Sequence, residues 1–332
     1  MVFARPRAAA VALLLTSIAA VGCTSRQTGK LGNLEFSYTA DDRVTNFNKP
    51  IAIGGKLDVR VRQKGNNKPV TITACSTADD KVLKVDKFEP SFFTLEGVGK
   101  GFSEITVKAQ QEDGQVVEDK VDMRAATPEV LKMHHYCTKD DGAYYLTEQT
   151  VYLPYDLEMA DGEAVISYGY HPIDFEPKGA LTLFADGKNQ AHFKLRTPKV
   201  AQTVTVNSTI DKASLVMSVV GEGQIDGARH EGAKTVLVGT KTPVLVRPTV
   251  SGKPVCQADT AIQASSMTPD ICGAKALSTG KKGADETQSW GWIEIEGIAL
   301  GKCTFEVNHL KANAGKGLTT TYTISIAKLV TP

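Results

Sequence analysis

The 332-residue sequence has no surplus of either charge: 38 Lys and Arg stand against 37 Asp and Glu. A nucleic-acid partner normally demands a basic face, so this balance argues against that class. Aromatic residues are scarce at 7%, and the only tryptophans are Trp290 and Trp292. The longest apolar run, Ala8–Val21, has 14 residues and is short for a bilayer span. Catalytic spacings are missing as well. There is no Gly-x-Ser-x-Gly, no His-Glu-x-x-His, no Cys-x-x-Cys and no Walker pattern. The six histidines are scattered, and the adjacent pair His134-His135 would face opposite ways on a strand. Asp79-Asp80 and Asp140-Asp141-Gly142 lack the spacing of a calcium loop and read as turn residues. The expectation is a protein that is not an enzyme and uses no cofactor or metal.

What is present begins at the N-terminus. Arg5 and Arg7 precede the apolar run, and removing them leaves 36 basic against 37 acidic side chains. That order reads as a signal peptide. The run ends in Ala20-Val21-Gly22-Cys23, which resembles the lipobox of bacterial lipoproteins. The resemblance implies cleavage after residue 22 and diacylation of the Cys23 thiol, with the membrane as first partner. Thr24, rather than aspartate, follows the cysteine; by the same resemblance this favours the outer membrane of a diderm cell. Residues 24–32 are small and polar, so 23–33 reads as a lipidated tether.

Beyond residue 33 short alternating runs recur, such as Leu57-Asp58-Val59-Arg60-Val61 and Ile105-Thr106-Val107-Lys108, with no helical stretch between them. Period-two alternation marks half-buried strands, and Asn, Asp and Gly pairs mark the turns. A repeat supports an all-β reading. The stretch from Thr71 aligns with that from Ala261, and the stretch from Phe93 with that from Ile293. Glu96/Glu296, Gly97/Gly297, Gly101/Gly301 and Val107/Val307 coincide, with an insertion around residues 277–288. Ser76-Thr77-Ala78-Asp79, Val98-Gly99-Lys100-Gly101 and Ile105-Thr106-Val107 resemble bacterial immunoglobulin-like domains of the group 2 type. The resemblance implies β-sandwiches over 34–126 and 213–330, and length and strand pattern assign a third over 128–210, giving three in tandem with joints near Ala126-Thr127-Pro128 and Ile210-Asp211-Lys212.

After Cys23, five cysteines remain: Cys75, Cys137, Cys256, Cys272 and Cys303. Export places them in an oxidising compartment, and an odd number leaves at least one unpaired within the chain. The implied sandwich order brings Cys272 and Cys303 to one pole and Cys256 to the other, so Cys272–Cys303 is the expected bridge. Cys75 and Cys137 are hard to join, because the second sandwich's first strand carries Cys137 away from its joint.

If Ile293 and Ile295 face the core as Phe93 and Leu95 do, Trp290 and Trp292 share the opposite face with Glu294 and Glu296. Exposed flat rings stack on sugars or fill a protein interface; a bulge or the insertion would instead cover them. Tyr168 and Tyr170 share parity with Ile166 and read as core. Glu294 and Glu296 point in parallel, which leaves no room for a scissile bond between them. Two readings stand: a non-enzymatic, lipid-anchored envelope protein acting as a spacer or adhesive surface towards surface proteins, and an envelope carbohydrate-binding protein.

Overall fold

The computed structural model describes residues 26–38, 47, 49–138, 142–188, 191–277 and 291–328. The fold is all-β. Among the described residues the strands form six sheets, which fall into three pairs of like strand order. In the first pair, one sheet runs Leu34–Tyr38, Lys56–Gln63, Phe92–Gly97, Leu83–Glu89. The other runs Ile51–Ala52, Val116–Ala126, Gly101–Gln110, Thr71–Thr77. The short strand Ile51–Ala52 lies parallel to the last strand of its pair. Tyr144–Leu146 and Thr235–Leu237 repeat that parallel pairing in the other two pairs. This is the two-sheet order of an immunoglobulin-like sandwich.

Each pair closes over its own apolar cluster. Leu57, Val59, Phe93, Leu95, Ile105 and Val107 fill the first. Leu153, Phe193, Leu195, Val204 and Met217 fill the second, and Val244, Ile293, Ile295, Phe305 and Val307 the third. Alternate residues of each strand supply these cores, as the period of two requires.

Two expected boundaries change. Residues 26–33 are not a free tether. Arg26–Thr28 pairs antiparallel with Leu34–Tyr38, and the buried Asp119 carboxylate accepts the N–H groups of Leu31, Asn33 and Leu34 at 2.7–2.8 Å. Gly29 is required there, since a Cβ would lie 2.2 Å from Asp119 Cγ. The joint placed at Ile210-Asp211-Lys212 is a hairpin turn. Ser214–Val220 pairs with Gln202–Ser208, and Leu215, Met217 and Val219 belong to the second core. The second sandwich therefore runs through Val220, and the third begins with Gly227–Glu231. Strand alternation reads alike on both sides of a hairpin, so it could not tell this turn from a linker.

The repeated glycines have a physical cause. Gly97 and Gly297 sit where a Cβ would lie 2.4 Å from the Ala52 carbonyl oxygen and 2.5 Å from that of Leu237. In the second sandwich the same register position is Thr197. Its hydroxyl donates to the Leu146 carbonyl at 2.6 Å and accepts from the Gln149 N–H at 2.8 Å. A hydroxyl that bonds to the crowding carbonyl replaces a residue with no side chain.

Both joints are closely packed. At the first, the backbones of Lys56 and Tyr168 exchange two hydrogen bonds of 2.8 Å. Asp58, only 4% exposed, accepts from the hydroxyls of Thr94 and Tyr168 at 2.7 Å each and pairs with the Lys188 ammonium. Lys188 Nζ also lies 5.2 Å from the Phe92 ring centroid. Burial opposes ionisation of Asp58, but Lys188 and the two hydroxyls outweigh it and hold the carboxyl below its ordinary value. Ile166 packs into the first core, Ala52 into the second, and Arg124 pairs with Glu163.

At the second joint, the side chain of fully buried Gln257 bonds in both directions with the Tyr152 backbone, at 2.6 and 2.7 Å. Gln149 does the same with the Asp259 backbone. Leu146 and Val220 pack against Ile225, Val250, Val255, Ala258 and Ala312.

Candidate functional site

The sheet face carrying Trp292 is fixed by register. Val244 and Ile293, and Thr242 and Ile295, are cross-strand partners that turn toward the core. The intervening pairs Leu245–Trp292, Pro243–Glu294 and Lys241–Glu296 therefore turn outward. Trp292 is 36% exposed. Gly291 makes this placement possible: its φ is +89°, and a Cβ there would lie 2.1 Å from the Val246 carbonyl oxygen. Lys241 Nζ stands 3.2 Å from Glu294 and 3.8 Å from Glu296, which raises its pKa above the ordinary lysine value. Lys275 is the cross-strand partner of Glu294 on the other side. The face thus combines an indole, two carboxylates and two ammonium groups. Trp290 and the insertion lie outside the described residues, as do Cys23, Asp140 and Asp141.

A separate open groove of about 490 Å³ borders the same sandwich, lined by Gln263, Ser265, Lys275, Glu306, Asn308 and Thr319. Among the described residues no group of three or more His, Cys, Asp or Glu is placed to hold a metal ion. His135 is buried with Nδ1 2.9 Å from the Tyr145 hydroxyl, and His134 is exposed. Tyr168 is buried, at the first joint rather than within a single core.

Cys272 and Cys303 form a disulfide. A second, Cys137–Cys256, crosses from the second sandwich to the third. Sequence reasoning missed it because it treated each sandwich separately. The strand Val130–Met133 does carry Cys137 away from the first joint, and so delivers it to the second. Among the described residues Cys75 is the free cysteine, and burial pushes its thiol up to about 12. A thiol held protonated in this way is a poor nucleophile.

The sequence matches no family model and no curated protein. Among solved structures, domains 4–9 of the surface-layer protein SbsC align at 12% identity with a TM-score of 0.28, over 90% of this chain and 48% of that one. The Escherichia coli adhesin FdeC aligns at 14% identity and 0.25, over 91% and 98%. Bacteroides ovatus SGBP-B, solved with a mixed-linkage heptasaccharide, aligns at 9% identity and 0.24, over 88% and 70%. The chain spans less than half the length of the SbsC fragment. Superpositions this loose carry no argument about fold or function, and the immunoglobulin-like assignment rests on the strand order.

Proposed function

We propose that the chain is a non-enzymatic envelope protein, anchored by lipid on Cys23, whose three tandem immunoglobulin-like domains form an arm that presents a recognition face on the third. The observation that carries the reading is Trp292, a part-exposed indole on the outward sheet face beside Glu294 and Glu296. An aromatic ring at an interface commonly dominates binding. The anchor is supported by the lipobox resemblance at residues 20–23, and the arm by the packing at both joints. A glycan is the second reading, favoured by the same indole, since a flat ring stacks on a pyranose.

The test has two arms. Cys23→Ala should abolish incorporation of labelled fatty acid and leave the precursor uncleaved; mature protein accumulating normally would refute the anchor. Trp292 is 36% exposed, so Trp292→Ala should lower the melting temperature by several degrees and leave the chain folded. It should also remove adhesion to envelope fractions. Unchanged adhesion by the folded variant would refute the recognition face.

A further inference from the structure

The Trp292 face occupies a position that the molecule uses twice elsewhere. Among the described residues, the second strand of each sandwich begins before its outer neighbour reaches it. On that strand Leu34–Tyr38 meets residues 59–63, Val130–Met133 meets 155–158, and Gly227–Glu231 meets 245–249. The starts of Lys56–Gln63, Thr150–Glu158 and Lys241–Val250 are thereby left with an open margin. An open strand margin is a template for another extended segment.

In the first two sandwiches the next one fills it. Tyr168 pairs with the Lys56 backbone, and the Gln257 amide stands in for a strand against Tyr152. In the third, the N–H of Gly297 bonds to Thr240 and the N–H of Val246 to Gly291. Antiparallel alternation then turns the Lys241 N–H and carbonyl to the open side, where no strand among the described residues pairs with them.

The side chains correspond as well. By register, Phe92, His192 and Trp292 share one position, as do Thr94, Lys194 and Glu294, and Glu96, Arg196 and Glu296. In the first margin the incoming group is the Lys188 ammonium, over Phe92 and against Asp58. The third margin offers a larger ring in place of Phe92, while Glu294 and Glu296 there already pair with Lys241. The indole face is therefore what the margin presents to an incoming cation.

We propose that this margin is a docking slot for an extended, lysine- or arginine-bearing loop of a partner protein. The inference rests on the recognition face proposed above and names what it recognises. A second copy of the chain is poorly equipped as the occupant. The groups that pair with the backbone of the first two margins come from the loops 159–172 and 251–261, and the Lys188 ammonium from the loop after Thr182–Leu183. The corresponding loop of the first sandwich is the short turn 64–70, closed by the Arg62–Pro69 bridge.

The test pans a library of random linear 12-residue peptides against the soluble chain, immobilised through its N-terminus. A glycan array and sedimentation velocity are run in parallel. The expected result is enrichment of peptides with a central Lys or Arg flanked by β-branched residues. Trp292→Ala should weaken them about tenfold, and binding should slow hydrogen exchange at the Lys241 amide. Acidic peptides, peptides indifferent to Trp292, or no enrichment would overturn the inference. So would self-association that depends on Trp292. Glycan binding lost in Trp292→Ala, without peptide binding, would overturn the inference and leave the recognition face standing. Failure of both ligand classes would remove both.

Discussion

Replacing Cys137 and Cys256 together with alanine should loosen the second and third sandwiches and leave the first alone. The bridge spans 119 residues, and chain entropy for a loop of that size gives about 5 kcal/mol. The bridge Cys272–Cys303, at 31 residues, gives about 4 kcal/mol by the same relation. The longer bridge joins two cores, so its loss should also change cooperativity. Calorimetry of the native chain should show the second and third sandwiches melting together. The double variant should show them separate, with the less stable one lower by about 10–20 °C. Alanine suits the buried Cys256 site and leaves no stray thiol. A shift of under about 2 °C, or a shift confined to the first sandwich, would refute the idea that this bridge couples the two cores.

Asp119→Ala should cost about 2–4 kcal/mol, because four N–H groups, those of Leu31, Asn33, Leu34 and Lys120, lose their acceptor, and should expose residues 26–33 to protease; an unchanged urea midpoint would count against it. Gly97→Ala and Gly297→Ala should each cost about 3 kcal/mol, since the Cβ meets backbone that cannot yield, with urea unfolding as the check. Burial pushes His309 down to about 4 from 6.5, so the unfolded chain binds the proton first. Stability should therefore fall as pH drops from 6.5 toward 4, by at most about 3 kcal/mol, and His309→Gln should flatten that slope in urea titrations.

The strands and the two end sandwiches were legible because their signals are local. Gly97 and Gly297 mark a steric need, and Leu57, Val59 and Val61 alternate as a half-buried strand must. The middle sandwich was faint because Thr197 meets the same need by a hydrogen bond, which leaves no glycine to align. The outward parity of Trp292 followed from Ile293 and Ile295. The joints were illegible because their contacts join residues far apart in sequence: Asp58 with Lys188, Tyr152 with Gln257, Cys137 with Cys256. Asp119 looked like any charged strand residue, yet it turns an expected tether into part of the sheet. Nothing in an Asp flanked by Glu118 and Lys120 announces that three distant amides converge on it.

The Cys137–Cys256 bridge has a mechanical consequence. Tension applied between the N-terminus and the far face of the third sandwich passes from Cys137 directly to Cys256. The intervening chain, which includes most of the second sandwich, carries no load. At about 3.4 Å per extended residue, roughly 400 Å of contour length is withheld from any stretch. Cys272–Cys303 withholds a further segment in the same way. Under shear the arm would yield mainly in the first sandwich, and its reach would have a ceiling set by covalent bonds rather than by the strength of its cores.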